Sequence, residues 1–252
     1  MQDSFNNHAG KVPAVTLGFW LIKIFATTLG ETGGDAVTMS MDLGYLVGTA
    51  IFGVVFIAAV AAQISARRFH PSLYWFVIVA TTTAGTTLAD YFDRSLGIGY
   101  LGGSSLLATL LILSLVVWQR ALGSVSINTI TSSKAEMYYW ATIMFSQTLG
   151  TALGDWMADS TGLGYRGGAV VFAAGLAIVA CAYYRTSISR TALFWSAFVL
   201  TRPLGATVGD FLDKPLNHGG LALSRYTASV ALAAVIVILI SLFPQRAESK
   251  PA

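Results

Sequence analysis

Four aspartates follow four glycines at the same distance, and this repetition is the clearest chemical signal in the 252-residue chain. In each copy a glycine or alanine comes four residues after the first glycine, and the aspartate comes directly after it. The four pairs are Gly30 and Asp35, Gly85 and Asp90, Gly150 and Asp155, and Gly205 and Asp210. Four further carboxylates lie close to these aspartates in sequence, namely Glu31, Asp93, Asp159 and Asp213.

These carboxylates form the predicted metal site. Oxygen-only ligands suit hard cations such as Mn²⁺, Mg²⁺ or Ca²⁺. Carboxylates held close together also repel one another, so that some keep their protons unless a cation is bound. The pattern therefore predicts exchange of a cation for protons. No cofactor and no enzymatic activity are expected. An intramembrane aspartyl protease, in particular, needs a glycine three residues before its aspartate, and no copy has one.

Two basic residues interrupt apolar segments of the chain. Lys23 lies eight residues before Glu31, and Arg202 lies eight residues before Asp210. Each is a candidate internal counter-charge that pairs with a carboxylate or with polar backbone in the bundle, although a lysine can also extend along a helix to reach the membrane surface. Pro203 follows Arg202 directly and predicts a kink that frees a backbone carbonyl, which favours a structural or gating role.

The composition places these residues in a membrane. Hydrophobic residues make up 55% of the chain and charged residues 11%, less than half the charged share of an ordinary soluble domain. This excludes an ordinary cytosolic enzyme and a disordered tail, and a net charge of +3 without a basic cluster excludes a nucleic-acid partner. The apolar runs are continuous instead of alternating, which predicts helices in a lipid bilayer. The expected class is an all-α membrane protein.

Eight apolar stretches are long enough to cross a bilayer. They cover residues 12–34, 43–62, 72–90, 100–118, 137–155, 168–184, 191–210 and 226–243. Combined with the repeat, they predict four tandem two-helix hairpins in parallel orientation, arranged as two four-helix halves. The first half is 1–119, a cytoplasmic linker is 120–136, and the second half is 137–252. The four aspartates should then lie at one level of a single membrane domain.

The start of the chain carries a resemblance to a known family. Lys11-Val12-Pro13, the segment Thr16-Leu17-Gly18-Phe19-Trp20 and the stretch from Thr27 to Asp35 are similar to the bacterial uncharacterised membrane-anchored proteins. That family is built from a repeated two-helix hairpin of unknown function. The resemblance implies a multi-pass protein of the bacterial inner membrane, and it supplies no catalytic residues.

The predicted function is transport or export of a small cation, either a divalent metal or a proton-coupled ion. The alternative is a membrane scaffold or regulatory protein that transports nothing. The expected partners are the lipid bilayer and an inorganic cation. The identity of the cation, the direction of transport, the choice between carrier and channel, and formation of a homo-oligomer are left open by the sequence.

The distribution of charge generates a topology prediction. Nine basic residues lie at the chain ends and in the loops after even-numbered helices, against four in the other loops, so both termini should be cytoplasmic. Reporter fusions after Arg67 and Arg120 should therefore report a cytoplasmic location, and fusions near Asp42 and Leu96 an external one. An external signal after Arg120 would contradict both this topology and the parallel repeats.

Overall fold

The computed structural model describes residues 10–248, and this range contains eight α-helices. They are α1 (Leu17–Asp35), α2 (Gly44–Ser65), α3 (Pro71–Asp90), α4 (Gly99–Leu122), α5 (Ser133–Asp155), α6 (Gly164–Arg185), α7 (Arg190–Asp213) and α8 (Arg225–Leu242). The predicted all-helical, eight-helix fold is confirmed. Both chain termini lie outside the described residues, so their location remains a prediction.

Some helix ends differ from the predicted spans because capping residues determine them. Helix α1 begins at Leu17 instead of residue 12, since the side chain of Thr16 accepts a hydrogen bond from the backbone N–H of Phe19. Helix α5 begins at Ser133, where Ser132 caps Ala135 in the same way. The predicted linker 120–136 therefore includes the end of α4 and the first turn of α5.

The four odd-numbered helices form a closed inner ring. Helix α1 packs against α3, α3 against α5, α5 against α7, and α7 against α1. The even-numbered helices lie outside, and each packs against the first helix of the following repeat: α2 on α3, α4 on α5, and α6 on α7. Helix α8 packs on α1, so the last repeat closes the ring on the first. The repeats are thus related by an approximate four-fold axis.

The two sets of helices differ in polarity. Within residues 10–248, five helices are long and apolar enough to cross a membrane, namely α2, α3, α4, α6 and α8. The outer helices among them bury only 11 to 28% of their most apolar window inside the protein, so most of that surface is left to face lipid. The inner helices α1, α5 and α7 carry more polar residues, and these side chains are largely buried within the ring.

The repeated glycines allow the inner helices to approach closely. Gly30 lies against Thr82, and Gly205 lies against Thr27. In each case the contacted threonine comes three residues before the glycine of the following repeat. Gly85 contacts Gln147, and Gly150 contacts Arg202, in the same relation. One contact is therefore used four times around the ring, as the small-residue spacing predicts.

A collar of aromatic side chains closes the ring at the end opposite the aspartates. In each repeat an aromatic residue at the start of the inner helix packs against a tryptophan of a neighbouring repeat. The pairs are Phe19 with Trp75, Tyr74 with Trp140, Tyr139 with Trp195, and Phe194 with Trp20, with ring centroids 5.4, 5.6, 6.3 and 5.8 Å apart. We call these eight residues the aromatic collar. It lies about 24 Å from the aspartates, at 1.5 Å per residue along α1.

The backbone directly after the repeated aspartate is π-helical in three of the four repeats. Five-residue π-helices follow directly after Asp35, Asp90 and Asp155. Such π-helical turns are rare and occur frequently at functional sites. In the fourth repeat α7 instead continues to Asp213, and a loop leads to α8. The fourth repeat is therefore built differently just beyond its aspartate.

The close approach of the inner helices can be tested at Gly205. A Cβ atom there collides with the side chain and the carbonyl carbon of Thr27, whereas a Cβ at Gly53 on outer helix α2 meets nothing within 4 Å. Gly205→Ala should destabilise the detergent-solubilised protein by about 1–3 kcal/mol. Gly53→Ala should leave its stability unchanged or raise it by up to about 1 kcal/mol. Equal thermal unfolding midpoints for the two variants would contradict the ring packing.

Candidate carboxylate centre

The inner face of each ring helix carries residues four positions apart, which stack one above another along the axis. On α1 these are Lys23, Thr27, Glu31 and Asp35, all buried. The equivalent residues on the other ring helices are also buried. They are Ile78, Thr82, Thr86 and Asp90; Ile143, Gln147, Thr151 and Asp155; and Phe198, Arg202, Ala206 and Asp210. The side chains that face the axis are therefore polar from the level of Thr27 to the aspartates, and mainly apolar between Thr27 and the start of the inner helices.

Arg202 lies at the centre of this axis. Its Nη2 donates to Glu31 Oε2 at 2.9 Å and also to the hydroxyls of Thr86 and Thr151. These partners come from the other three ring helices, so one guanidinium joins all four repeats. The side chains of Arg202 and Glu31 are 0% and 3% exposed. Pro203 lies within the continuous helix α7, and its ring faces Gly150 on α5.

The four aspartates, which we call the aspartate ring, are bridged by two basic residues. Arg94 binds Asp90 through Nε at 2.9 Å and Asp155 through Nη2 at 3.2 Å. Lys214 binds Asp210 at 3.0 Å and also binds Asp35. Each basic residue thus joins the aspartate of its own repeat to that of the following repeat. The two bridging residues thus follow a two-fold symmetry, and Arg225, whose Nε lies 3.8 Å from Asp35 Oδ2, adds a third basic side chain on one side of the ring.

Lys214 lies just beyond the end of α7, among several carboxylates. Burial lowers the pKa of Lys214, but Asp210, Asp35 and Asp213 together outweigh burial and hold that pKa well above its ordinary value. Lys214 is therefore a charged ammonium at neutral pH.

The eight predicted metal ligands occupy different environments. Glu31, Asp35 and Asp210 come together, each with an oxygen within 4.8 Å of the others. Asp90 and Asp155 meet at Arg94 instead. Of the remaining three, Asp93 and Asp159 lie apart from this cluster, whereas Asp213 borders it and shares Arg225 with Asp35. Asp93 is buried beside Gly103, Asp159 accepts a hydrogen bond from Tyr100, and Asp213 pairs with Arg225.

Lys23 is buried in the ring beside uncharged groups. Its ammonium donates to the carbonyl of Phe198 at 3.1 Å and to the hydroxyl of Thr201 at 2.6 Å, and it lies 3.7 Å from the centre of the Phe198 ring. No carboxylate within residues 10–248 lies in ion-pair distance of this ammonium. Lys23 therefore contacts polar backbone and a hydroxyl inside the bundle instead of extending to the surface, whereas Arg202 pairs with the carboxylate of Glu31.

Four segments of the chain match one family, described as Repeat of Unknown Function (DUF347). The segments are residues 18–69, 73–123, 138–189 and 193–245, and each spans one inner helix and the outer helix that follows it. The chain belongs to this family. The predicted repeat of unknown function is thereby confirmed. No curated protein and no solved structure matches the chain.

Comparison of the four DUF347 repeats also reveals residues that the sequence analysis missed. Arg94 and Lys214 occupy the same position in the two halves, 120 residues apart, and this spacing could have found them. The four tryptophans of the aromatic collar likewise share one position in the four repeats. Gln147 occupies the position of Arg202 in the third repeat, and neither of its amide atoms has a partner among the described residues. The burial of Gln147 follows from the packing of the ring helices and could not be predicted from the sequence.

The role of Arg202 in joining the DUF347 repeats can be tested by substitution. Arg202→Met leaves the Glu31 carboxylate buried without its partner, which should cost about 3–5 kcal/mol of stability. Arg120→Met, at an exposed position, should change stability by no more than about 0.5 kcal/mol. Adding Glu31→Gln to Arg202→Met should recover part of the loss. The midpoint of thermal unfolding in detergent measures the stability of the two single variants and of the double variant. An unchanged midpoint for Arg202→Met would contradict the role of Arg202 in joining the repeats.

Proposed function

We propose that this DUF347 protein is a small membrane transporter for an inorganic cation, with its binding site at the aspartate ring and Glu31. The observation that carries this proposal is the excess of negative charge inside the bundle. The four aspartates of the ring are buried together with Glu31, and within residues 10–248 two basic residues, Arg94 and Lys214, bridge them, while Arg225 lies 3.8 Å from Asp35. Carboxylates in such a position are costly in a membrane and are typical of ion pathways.

The chemistry of the cluster favours a hard divalent cation or a proton-coupled ion. Glu31, Asp35 and Asp210 offer three carboxylates, and the hydroxyl of Thr86 donates to Glu31 Oε2 at 3.4 Å. Mn²⁺, Mg²⁺ and Ca²⁺ prefer such oxygen ligands. Protons compete with these cations for the same oxygens, which supports exchange of the cation against protons.

The layers below the cluster support a gated path. Under the Thr27 level the axis contains Ile78, Ile143 and Phe198 together with Lys23, and the aromatic collar lies beyond them. Passage of an ion requires these layers to separate. Pro203 supports such a movement, because a proline within α7 removes one backbone hydrogen bond next to Arg202.

The proposed location is the bacterial inner membrane, with both chain termini in the cytoplasm. The excess of basic residues in the loops after even-numbered helices supports this orientation. The aspartate ring then faces the external side, and the aromatic collar faces the cytoplasm.

A membrane scaffold or regulatory role is the second candidate, and the ion pairs between repeats favour it. Pairs such as Arg94 with Asp155 also fasten neighbouring helices when nothing is transported.

Flux through the purified protein in liposomes tests the proposal. Wild-type protein should carry Mn²⁺, Mg²⁺ or Ca²⁺ across the vesicle membrane, and Asp35→Asn or Asp155→Asn should reduce the flux at least tenfold. Asp159→Asn is the matched control, because this aspartate is exposed and lies outside the ring. Absence of flux in the wild type, together with equal loss of folded protein in the ring variants, would favour the scaffold.

A parallel measurement identifies the cation. A strain that lacks the protein should differ from its parent in sensitivity to one metal and in its cellular content of that metal. Expression of the wild type should restore both, and expression of Asp35→Asn at the same level should restore neither. Unchanged metal content for every cation would contradict transport.

A further inference from the structure

The ammonium of Lys214 occupies the place where a cation would bind. It contacts Asp35 and Asp210, which together with Glu31 form the three-carboxylate cluster. A bound divalent cation would need these same oxygens. Lys214 and an incoming cation therefore compete for one position.

The carboxylates of the cluster keep spare capacity despite this ammonium. Asp35 Oδ1 is buried and has no hydrogen-bond partner among the described residues. The nearest other cation is Arg225, whose Nε lies 3.8 Å from Asp35 Oδ2 and 2.9 Å from Asp213 Oδ2. Asp35 is therefore buried and has one oxygen, Oδ1, without a hydrogen-bond partner among the described residues, as expected of a ligand that exchanges partners.

The backbone around Lys214 differs from that of the other repeats. In the fourth repeat the helix ends at Asp213, and a loop folds back so that Ala222 donates its backbone N–H to the carbonyl of Lys214 at 2.9 Å. Gly220 lies so close to this carbonyl that a Cβ atom would collide with it. The loop therefore fixes the backbone of Lys214, while its flexible side chain reaches back one helical turn to Asp210.

The equivalent residue in the other half is Arg94, and the two side chains bind differently. Arg94 uses two separate nitrogens for Asp90 and Asp155, a fixed geometry that resists displacement. Lys214 holds both of its aspartates with a single ammonium on a flexible stem. Asp213, next to Lys214, has one oxygen, Oδ1, without a hydrogen-bond partner among the described residues and offers an alternative position for this ammonium.

We propose that Lys214 is a built-in competitor for the transported cation. Its ammonium compensates the Glu31–Asp35–Asp210 cluster when the cluster is empty and moves away when a divalent cation binds. Arg94 stays in place and maintains the opposite half of the ring. This inference rests on the proposed function, because it assigns a means of release to the same site. The competition keeps the buried carboxylates compensated in both states and weakens cation binding enough for release.

The test measures binding of Mn²⁺ and Ca²⁺ to the purified full-length protein by isothermal titration calorimetry at pH 7. Lys214→Met removes the competitor and should bind the preferred cation at least tenfold more tightly than the wild type. Arg94→Met removes one positive charge from the opposite half of the aspartate ring and should tighten binding clearly less than Lys214→Met, because Arg94 contacts Asp90 and Asp155 and not the three-carboxylate cluster. Lys214→Gln, which can still donate a hydrogen bond to Asp35, should also bind more tightly and serves if Lys214→Met fails to fold.

The outcomes separate this inference from the proposed function. Tighter binding in both Lys214 variants, with binding abolished by Asp35→Asn, supports the competitor. Equal or weaker binding in folded Lys214 variants, with wild-type binding and flux intact, overturns the competitor and leaves the transporter standing. Absence of binding in the wild type and in every Lys214 variant overturns both. Tighter binding in Arg94→Met to the same degree would overturn the special role of Lys214.

Discussion

Compensation of buried charge is the constraint on which this structure depends. A charged side chain in the interior of a membrane protein needs a partner, because an isolated charge is costly to remove from water. Arg202 meets this requirement at the ring centre by binding Glu31 and two threonine hydroxyls. Its partners come from three different helices, so the same contact that compensates the charge also sets the positions of all four inner helices. Lys23 is the exception among the described residues, since its terminal nitrogen contacts a carbonyl, a hydroxyl and an aromatic face there and no carboxylate.

The four DUF347 repeats share their structural residues and differ in their chemical ones. Glycines at the helix contacts, tryptophans in the aromatic collar and the four ring aspartates recur in every repeat. The positions that face the axis between the collar and the aspartates vary, and there the four-fold relation is lost. Arg94 and Lys214 follow a two-fold symmetry, while Arg202 and Glu31 occur once each. The repeated scaffold thus carries an asymmetric set of charged side chains, whereas a strictly symmetric ring would carry the same charges in every repeat.

The order of packing explains why the helices differ so much in polarity. Each outer helix covers the inner helix of the following repeat instead of its own, and α8 closes the circle on α1. The inner helices are therefore enclosed on several sides and can carry threonines, carboxylates and an arginine. The outer helices face lipid and are nearly free of charge, as α2 shows. Inner helices α1, α5 and α7 consequently lack the continuous apolar character that identifies a membrane span by composition alone.

The sequence by itself determined the membrane class, the eight helices, the four repeats and the common level of the aspartates. These follow from hydrophobic run length and from residues that recur at fixed spacing, both of which are local or periodic properties. The tertiary structure decided which of these residues meet. Glu31 joins Asp35 and Asp210, whereas Asp93 and Asp159 lie apart, and Arg202 pairs with Glu31 across the ring. Such pairings depend on the order in which the helices close around the axis, and sequence spacing along one helix carries no information about its neighbours across that axis.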